Sequence, residues 1–202
     1  MTDHYFSAEP AGPQRPRELR VRLVGRELEV LTAGGVFSAD RLDLGTSVLL
    51  REVPDPPNSG DLLDLGCGWG PLSLALGLLA PAARVWAVDV NPRARELTAA
   101  NAARCGVGNI RAVAPEEVPA SVRFAAIWSN PPIRIGKGSL HALLLRWLPR
   151  LDHAGQAFLV VQRNLGADSL HRWLGEHLPA GDGWQVERAG SAKGYRVLRI
   201  SR

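Results

Sequence analysis

The segment Asp61-Leu62-Leu63-Asp64-Leu65-Gly66-Cys67-Gly68-Trp69-Gly70-Pro71 constrains the fold more than any other part of the chain. A short apolar run leads into three alternating glycines, and a proline then opens a stretch rich in leucine and alanine. The apolar run predicts a buried strand. Pro71 suits the first turn of a helix, where the missing N–H loses no partner. Strand, tight turn and helix in that order belong to βα architectures, which bind ligands outside the carboxyl ends of their strands. Glycines let the backbone turn sharply there and approach a ligand with no side chain between. Their spacing is GxGxG, whereas the dinucleotide fingerprint GxGxxG requires glycine where Pro71 stands. A nicotinamide dehydrogenase is therefore disfavoured. Asp64, just ahead of the loop, suits a cationic ligand held directly or through water.

Further strands are expected at 84–89, 109–113, 124–129 and 156–162, with helices at 71–79, 92 to about 105, 139–148 and 168–177. Residues 184–188 and 195–200 close the chain as two strands able to pair antiparallel. Alternating strands and helices imply an α/β fold, a mostly parallel sheet with helices on both faces. Upstream, apolar and charged residues alternate on either side of Gly25 across 17–32, predicting a β-hairpin with one wet face. Residues 9–16 read as a proline-rich arm, 46–52 as a short helical run, and 54–60, cut by three prolines, as a linker. The expected division is an N-terminal arm, hairpin and short helix (1–53) packed on a catalytic domain (61–202).

Two more features fall at the same sheet edge. Asp89 ends the second strand, 19 positions after Gly70, where a carboxylate can accept both hydroxyls of a ribose. The same charge also suits the start of the following helix, and Asn91 is a natural cap for it. Asn130-Pro131-Pro132 directly follows the fourth strand. Two prolines fix φ and remove two backbone donors. They leave an acceptor-rich corner made of the Asn130 side-chain oxygen and the carbonyls of Asn130 and Pro131. An exocyclic amine on a planar ring is a poor nucleophile because its lone pair is delocalised. Two acceptors holding its hydrogens rotate and partly pyramidalise it toward an electrophilic methyl. This is positioning with modest electrostatic help, and it needs neither a strong base nor a metal.

Composition limits the alternatives. With 202 residues, 46% hydrophobic and 22% charged, the chain is an ordinary globular domain. It has no apolar run long enough for a membrane span, and Met1-Thr2-Asp3-His4 is no secretory leader, so a cytoplasmic location is expected. Cys67 and Cys105 form no CxxC pair and no histidines share a ligand spacing, so no metal site is expected. Cys67 reads as a small buried residue with no nearby base to activate it. The net charge of +4 permits a polyanionic partner. Of the 24 Lys+Arg residues only Lys137 and Lys193 are lysine, an arginine bias that a GC-rich genome also produces. Charge alone does not choose nucleic acid.

Asp64 through Gly70, then Val88-Asp89-Val90-Asn91, are similar to motifs I and II of class I S-adenosylmethionine-dependent methyltransferases. The resemblance runs from about Asp61 to the end. It implies a Rossmann-like seven-stranded sheet with the last strand antiparallel, Asp89 on the cofactor ribose, and Gly66, Cys67, Gly68 and Gly70 beneath the methionyl part. An acid after the third strand commonly reads the adenine amino group in that family. In Val113-Ala114-Pro115-Glu116-Glu117 it comes late, and Glu116 is the expected reader. Trp69 is expected beside the cofactor; the other tryptophans are expected in the core or between helices.

Asn130-Pro131-Pro132 resembles the Asn-Pro-Pro-Tyr motif of amino methyltransferases acting on adenine, guanine or glutamine, which makes these three the expected catalytic residues. Ile133 stands where many of them carry a stacking aromatic and offers only an apolar contact, which disfavours adenine-N6 and glutamine chemistry. The longer string from Asn130 to Lys137 looks most like the small ribosomal RNA guanine-N2 methyltransferases. So do Gly35-Val36-Phe37-Ser38, Arg41-Leu42-Asp43-Leu44-Gly45-Thr46 and Lys193-Gly194-Tyr195-Arg196-Val197-Leu198. In that family the segment matching Phe37 and Gly45-Thr46 lies near the cofactor. Thr46 therefore joins Asp64, Asp89, Asn91, Glu116, Asn130 and the loop as expected cofactor contacts. Ile133, Arg134, Lys137, Arg163 and Lys193 are expected on the substrate side. The resemblance implies methyl transfer to the exocyclic N2 of a ribosomal RNA guanine, with the base unstacked into the pocket. Two alternatives stay open: an N-methyltransferase of a protein glutamine or small-molecule amine, and a non-catalytic RNA-binding module. The intact Gly66, Gly68, Gly70, Asp89 and Asn130 argue against the module.

Overall fold

The computed structural model describes residues 16–179 and 183–202. Residues 1–4 and the proline-rich arm at 9–16, but for Pro16, lie outside the described residues. Strands β1 (Arg17–Leu23) and β2 (Arg26–Thr32) pair antiparallel around Val24 and Gly25, whose φ values are +44° and +79°. Positive φ at both central residues marks a hairpin turn whose twist matches its strands. After it come α1 (Leu44–Glu52), β3 (Asp61–Leu65), α2 (Pro71–Leu79), β4 (Arg84–Val88), α3 (Pro92–Arg104), β5 (Ile110–Val113) and β6 (Phe124–Ser129). The chain closes with α4 (Lys137–Trp147), β7 (Leu151–Gln162), α5 (Ala167–His177), β8 (Gln185–Ala192) and β9 (Tyr195–Ser201).

Seven strands form one sheet in the order β5-β4-β3-β6-β7-β9-β8. The first five are parallel, and β9, the last in sequence, runs antiparallel to both neighbours. This is the expected architecture. The order reverses between β3 and β6, and the carboxyl ends of strands flanking such a switch point open a crevice.

Successive side chains point to opposite faces of the pleat. Leu63, Leu65, Trp86, Val88 and Ile127 pack under α4 and α5. Leu62, Val85, Ala126, Trp128, Phe158 and Val160 pack under α1 and α2. With both faces covered, the central strands read as apolar runs rather than as alternating ones.

The hairpin is fastened by α3. Asn101, fully buried, accepts from Leu31 N at 2.6 Å and donates to the carbonyls of Leu31 and Trp69 at 2.9 and 2.8 Å. Val21, Leu23 and Val30 close over Trp69, Leu74 and Leu97. Glycine loop, hairpin and α3 thus share one small core. Among the described residues no helix is long and apolar enough to cross a membrane.

Several boundaries differ from the sequence expectation, three of them with a visible reason. Helix α1 begins at Leu44 rather than 46 because Asp43 caps it, its carboxylate accepting from Thr46 N at 2.9 Å. Strand β7 begins at Leu151 rather than 156, past a register break opposite Phe124 and Ala126. Gly155 lies in that extension, where a Cβ would stand 2.8 Å from the Phe124 carbonyl. Strand β8 runs on to Ala192 with mostly exposed residues, which leave no apolar alternation to read.

Candidate active site

The glycine loop bridges β3 and α2 at the switch point. Gly66 N and Cys67 N both donate to the Val88 carbonyl, at 2.8 and 3.1 Å, pulling the loop across the end of β4. Gly66, Gly68 and Gly70 all have positive φ (82°, 60° and 95°). Gly70 also needs its missing Cβ, which would stand 3.0 Å from the Thr98 side chain. No side chain caps α2, and Pro71 occupies its first turn.

Two adjoining hollows open against this loop and share Phe37, Gly66, Gly68 and Asn130. Asp43, Thr46, Asp64 and Cys67 border the larger; Asp89 and Asn91 border the smaller. The exposed ring of Phe37 forms part of the lip.

Asp64 is almost fully buried on the α2 face of β3. Its Oδ2 accepts from the Ser73 hydroxyl at 2.5 Å, while Oδ1 is buried without a partner among the described residues. Burial without a counter-ion pushes this carboxyl up to about 7. Asp89 is also buried, and burial raises it as well. Its Oδ2 accepts from Gly68 N at 3.0 Å and its Oδ1 from Asn91 N at 2.9 Å. The carboxylate therefore organises the loop it faces. Burial holds the Cys67 thiol well above its ordinary value, and the Thr98 hydroxyl donates to its sulfur at 3.4 Å, which fits a packing residue.

Asn130 directly follows β6 and borders both hollows. Its Nδ2 donates to Asp43 Oδ2 at 2.8 Å and Thr46 Oγ1 at 3.1 Å. Pro131 and Pro132 are buried. The Pro131 carbonyl accepts from Ile133 N at 2.8 Å, closing a γ-turn with Pro132 at φ −73° and ψ 77°. Ile133 is partly buried against the α4 side of the core.

The fold brings most of the sequence-predicted residues together. Thr46, Asp64, Gly66, Cys67, Gly68, Asp89, Asn91 and Asn130 border the two hollows. Asn91 also caps α3, accepting from Arg93 N at 3.0 Å, and donates to the Gly35 carbonyl at 2.8 Å. Glu116 stands apart from the hollows, exposed and loosely paired with Arg146 at 3.8 Å. Trp69 is buried in the hairpin core while bordering the larger hollow, and its Nε1 donates to the Ser38 carbonyl at 3.2 Å.

Arg134, Lys137, Arg163 and Lys193 are exposed, and among the described residues none has a carboxylate partner. Arg163 N donates to the Gly194 carbonyl at 2.8 Å, so the end of β7 and the turn carrying Lys193 adjoin. Sequence reasoning missed the role of Asp43. The cap signal was readable in Asp43-Leu44-Gly45-Thr46, but its bond to Asn130 spans 87 positions.

Residues 27–199 match the model of the methyltransferase small domain family. The Bacillus subtilis protein YbxB, itself uncharacterized, is 30% identical over 205 residues, covering all of both chains. Ribosomal RNA small subunit methyltransferase C of Stutzerimonas stutzeri is 35% identical over 191 residues, 89% of this chain and 57% of that protein. The chain spans about half the length of several such relatives. The T. thermophilus 16S rRNA N2-guanine methyltransferase RsmC, solved with AdoMet and guanosine, superimposes with a TM-score of 0.78. It is 24% identical, over 96% of this chain and 52% of that one. From the match over most of its length and the full-length relative, this chain belongs to the methyltransferase small domain family.

Proposed function

We propose that this protein transfers a methyl group from S-adenosylmethionine to the exocyclic N2 amine of a guanine in ribosomal RNA. The observation that carries the reading is the Asn130 amide. Its Nδ2 is engaged by Asp43 and Thr46, so its oxygen is left as an acceptor beside the glycine loop. An acceptor there suits an N–H₂ substrate and offers nothing to a hydroxyl-abstracting mechanism.

The cofactor fits the residues present. The orphaned, buried Oδ1 of Asp64 lacks a cation, which the methionyl ammonium would supply. The Asp89 oxygens each hold one backbone N–H and keep lone pairs for two ribose hydroxyls. When bound, S-adenosylmethionine supplies an electrophilic methyl on a sulfonium. Asn130 Oδ1 and the free lone pair of the Pro131 carbonyl would hold the two amine hydrogens, turning the nitrogen lone pair out of ring conjugation. Ile133 would pack on the base, and Arg134, Lys137, Arg163 and Lys193 would meet RNA phosphates. The ribosomal RNA names of the relatives and the guanosine in the RsmC complex support this substrate, and with it a cytoplasmic location. Within the N-terminal segment 1–53, the hairpin at 17–32 acts in this reading as a brace for the catalytic domain, 61–202.

The test is radiolabelled methyl transfer to naked RNA, small subunits and large subunits, followed by nucleoside digestion. Label in N2-methylguanosine is expected; label in glutamine or in another nucleoside overturns the substrate. At saturating cofactor, Asn130→Ala should lose transfer on the order of a hundredfold, the scale of a deleted transition-state hydrogen bond. Full activity in that variant removes Asn130 from the mechanism.

A further inference from the structure

We infer that Asp43 is a positioning residue that fixes the direction of the Asn130 amide, an assignment that rests on the reading of Asn130 given above. A side-chain amide has nearly the same shape in its two flips, so its neighbours' donors and acceptors decide which is populated. Asp43 Oδ2 lies 2.8 Å from Asn130 Nδ2. An ionised carboxylate only accepts, so the flipped amide would set oxygen against oxygen and present its NH₂ to the substrate. A donor facing an amine hydrogen holds nothing.

The carboxylate is itself held firmly. Its Oδ2 also accepts from Thr46 N at 2.9 Å, and the Asp43 carbonyl accepts from Ser47 N and Ser47 Oγ, both at 2.9 Å. Gly45 leaves it room: a Cβ there would stand 2.9 Å from Asp43 Oδ2 and 2.9 Å from the Tyr195 ring. The first turn of α1 therefore sets an amide at the end of β6, with Thr46 Oγ1 as a second acceptor at 3.1 Å.

A plain helix cap would explain Asp43 without this role, and Asp43→Ser separates the two. Serine caps a helix about as well as aspartate, but its hydroxyl is one atom shorter and does not reach Asn130. The melting temperature should stay near wild type. The kcat for guanine methylation should fall about tenfold with little change in KM, the worth of one hydrogen bond made in the transition state. Unchanged kcat in Asp43→Ser overturns the assignment. A second measurement needs neither substrate nor a folded variant. In cofactor-free wild type the Asn130 side-chain amide protons should exchange with water more slowly than those of a free asparagine. Exchange at the free rate overturns the assignment even if Asp43→Ser fails to fold. If wild type methylates no RNA, the substrate reading fails and the amide spectrum still decides on Asp43.

Discussion

Titrating cofactor binding against pH in the wild type and in Asp64→Asn tests whether Asp64 meets a cation. Burial holds this carboxyl up to about 7, with the Ser73 hydroxyl offsetting only part of the rise. An ammonium beside Oδ1 needs the ionised form, so binding below that value must first expel a proton. The weakening factor is 1 + 10^(pKa − pH), about 11 at pH 6 and about 1.3 at pH 7.5. Affinity should therefore strengthen about eightfold between these values, close to 1.2 kcal/mol. The sign is fixed: the free enzyme holds the proton below its raised value and the complex does not, so binding tightens as pH rises. Calorimetry at pH 6 in two buffers of different ionisation heat should show about 0.9 proton released per cofactor. Asp89 is raised too, but both its oxygens already accept backbone N–H groups. Asp64→Asn should thus remove most of the slope and leave a weak, nearly flat affinity. A wild-type affinity that changes less than twofold over this range, or an Asp64→Asn variant that keeps the slope, refutes the argument.

Two further outcomes follow from packing and charge. In Gly77→Ala the new methyl would stand 2.4 Å from Val107 Cγ1 and 2.9 Å from Asn109 Oδ1. Such overpacking should cost about 1–3 kcal/mol and lower the melting temperature by roughly 2–12 °C, with activity per folded molecule unchanged at low temperature; an unaltered melting curve contradicts the contact. Arg163→Ala should reduce the slope of log K for RNA against log salt by about 0.7–0.9. Arg84→Ala, at the opposite end of the sheet and paired with Asp61 at 2.7 Å, should leave that slope alone. Equal slopes in the wild type and Arg163→Ala would place the RNA elsewhere.

Much of the site was legible because its signals are local. The three positive-φ glycines, the first-turn proline and the double proline after β6 are each defined within a few residues. The hairpin around Gly25 was readable from alternation and one turn. Element ends were harder. The exposed residues of β8 carry no apolar period, and the start of β7 lies beyond a register break created by pairing, not by composition. Asn91 was readable as a cap, but its bond to Gly35 reaches back 56 positions. Asn101 gave no signal, although its one buried amide ties hairpin, α3 and loop together.

What the glycine loop determined alone was the class of turn and the edge of the sheet where a ligand would sit, because backbone conformation depends on neighbours within a turn. The structure alone decided that Asp64 Oδ1 is orphaned, that Asp89 holds the loop by two N–H groups, and which way the Asn130 amide faces. Those properties depend on burial and on hydrogen bonds between distant positions, and such contacts leave no period in the chain.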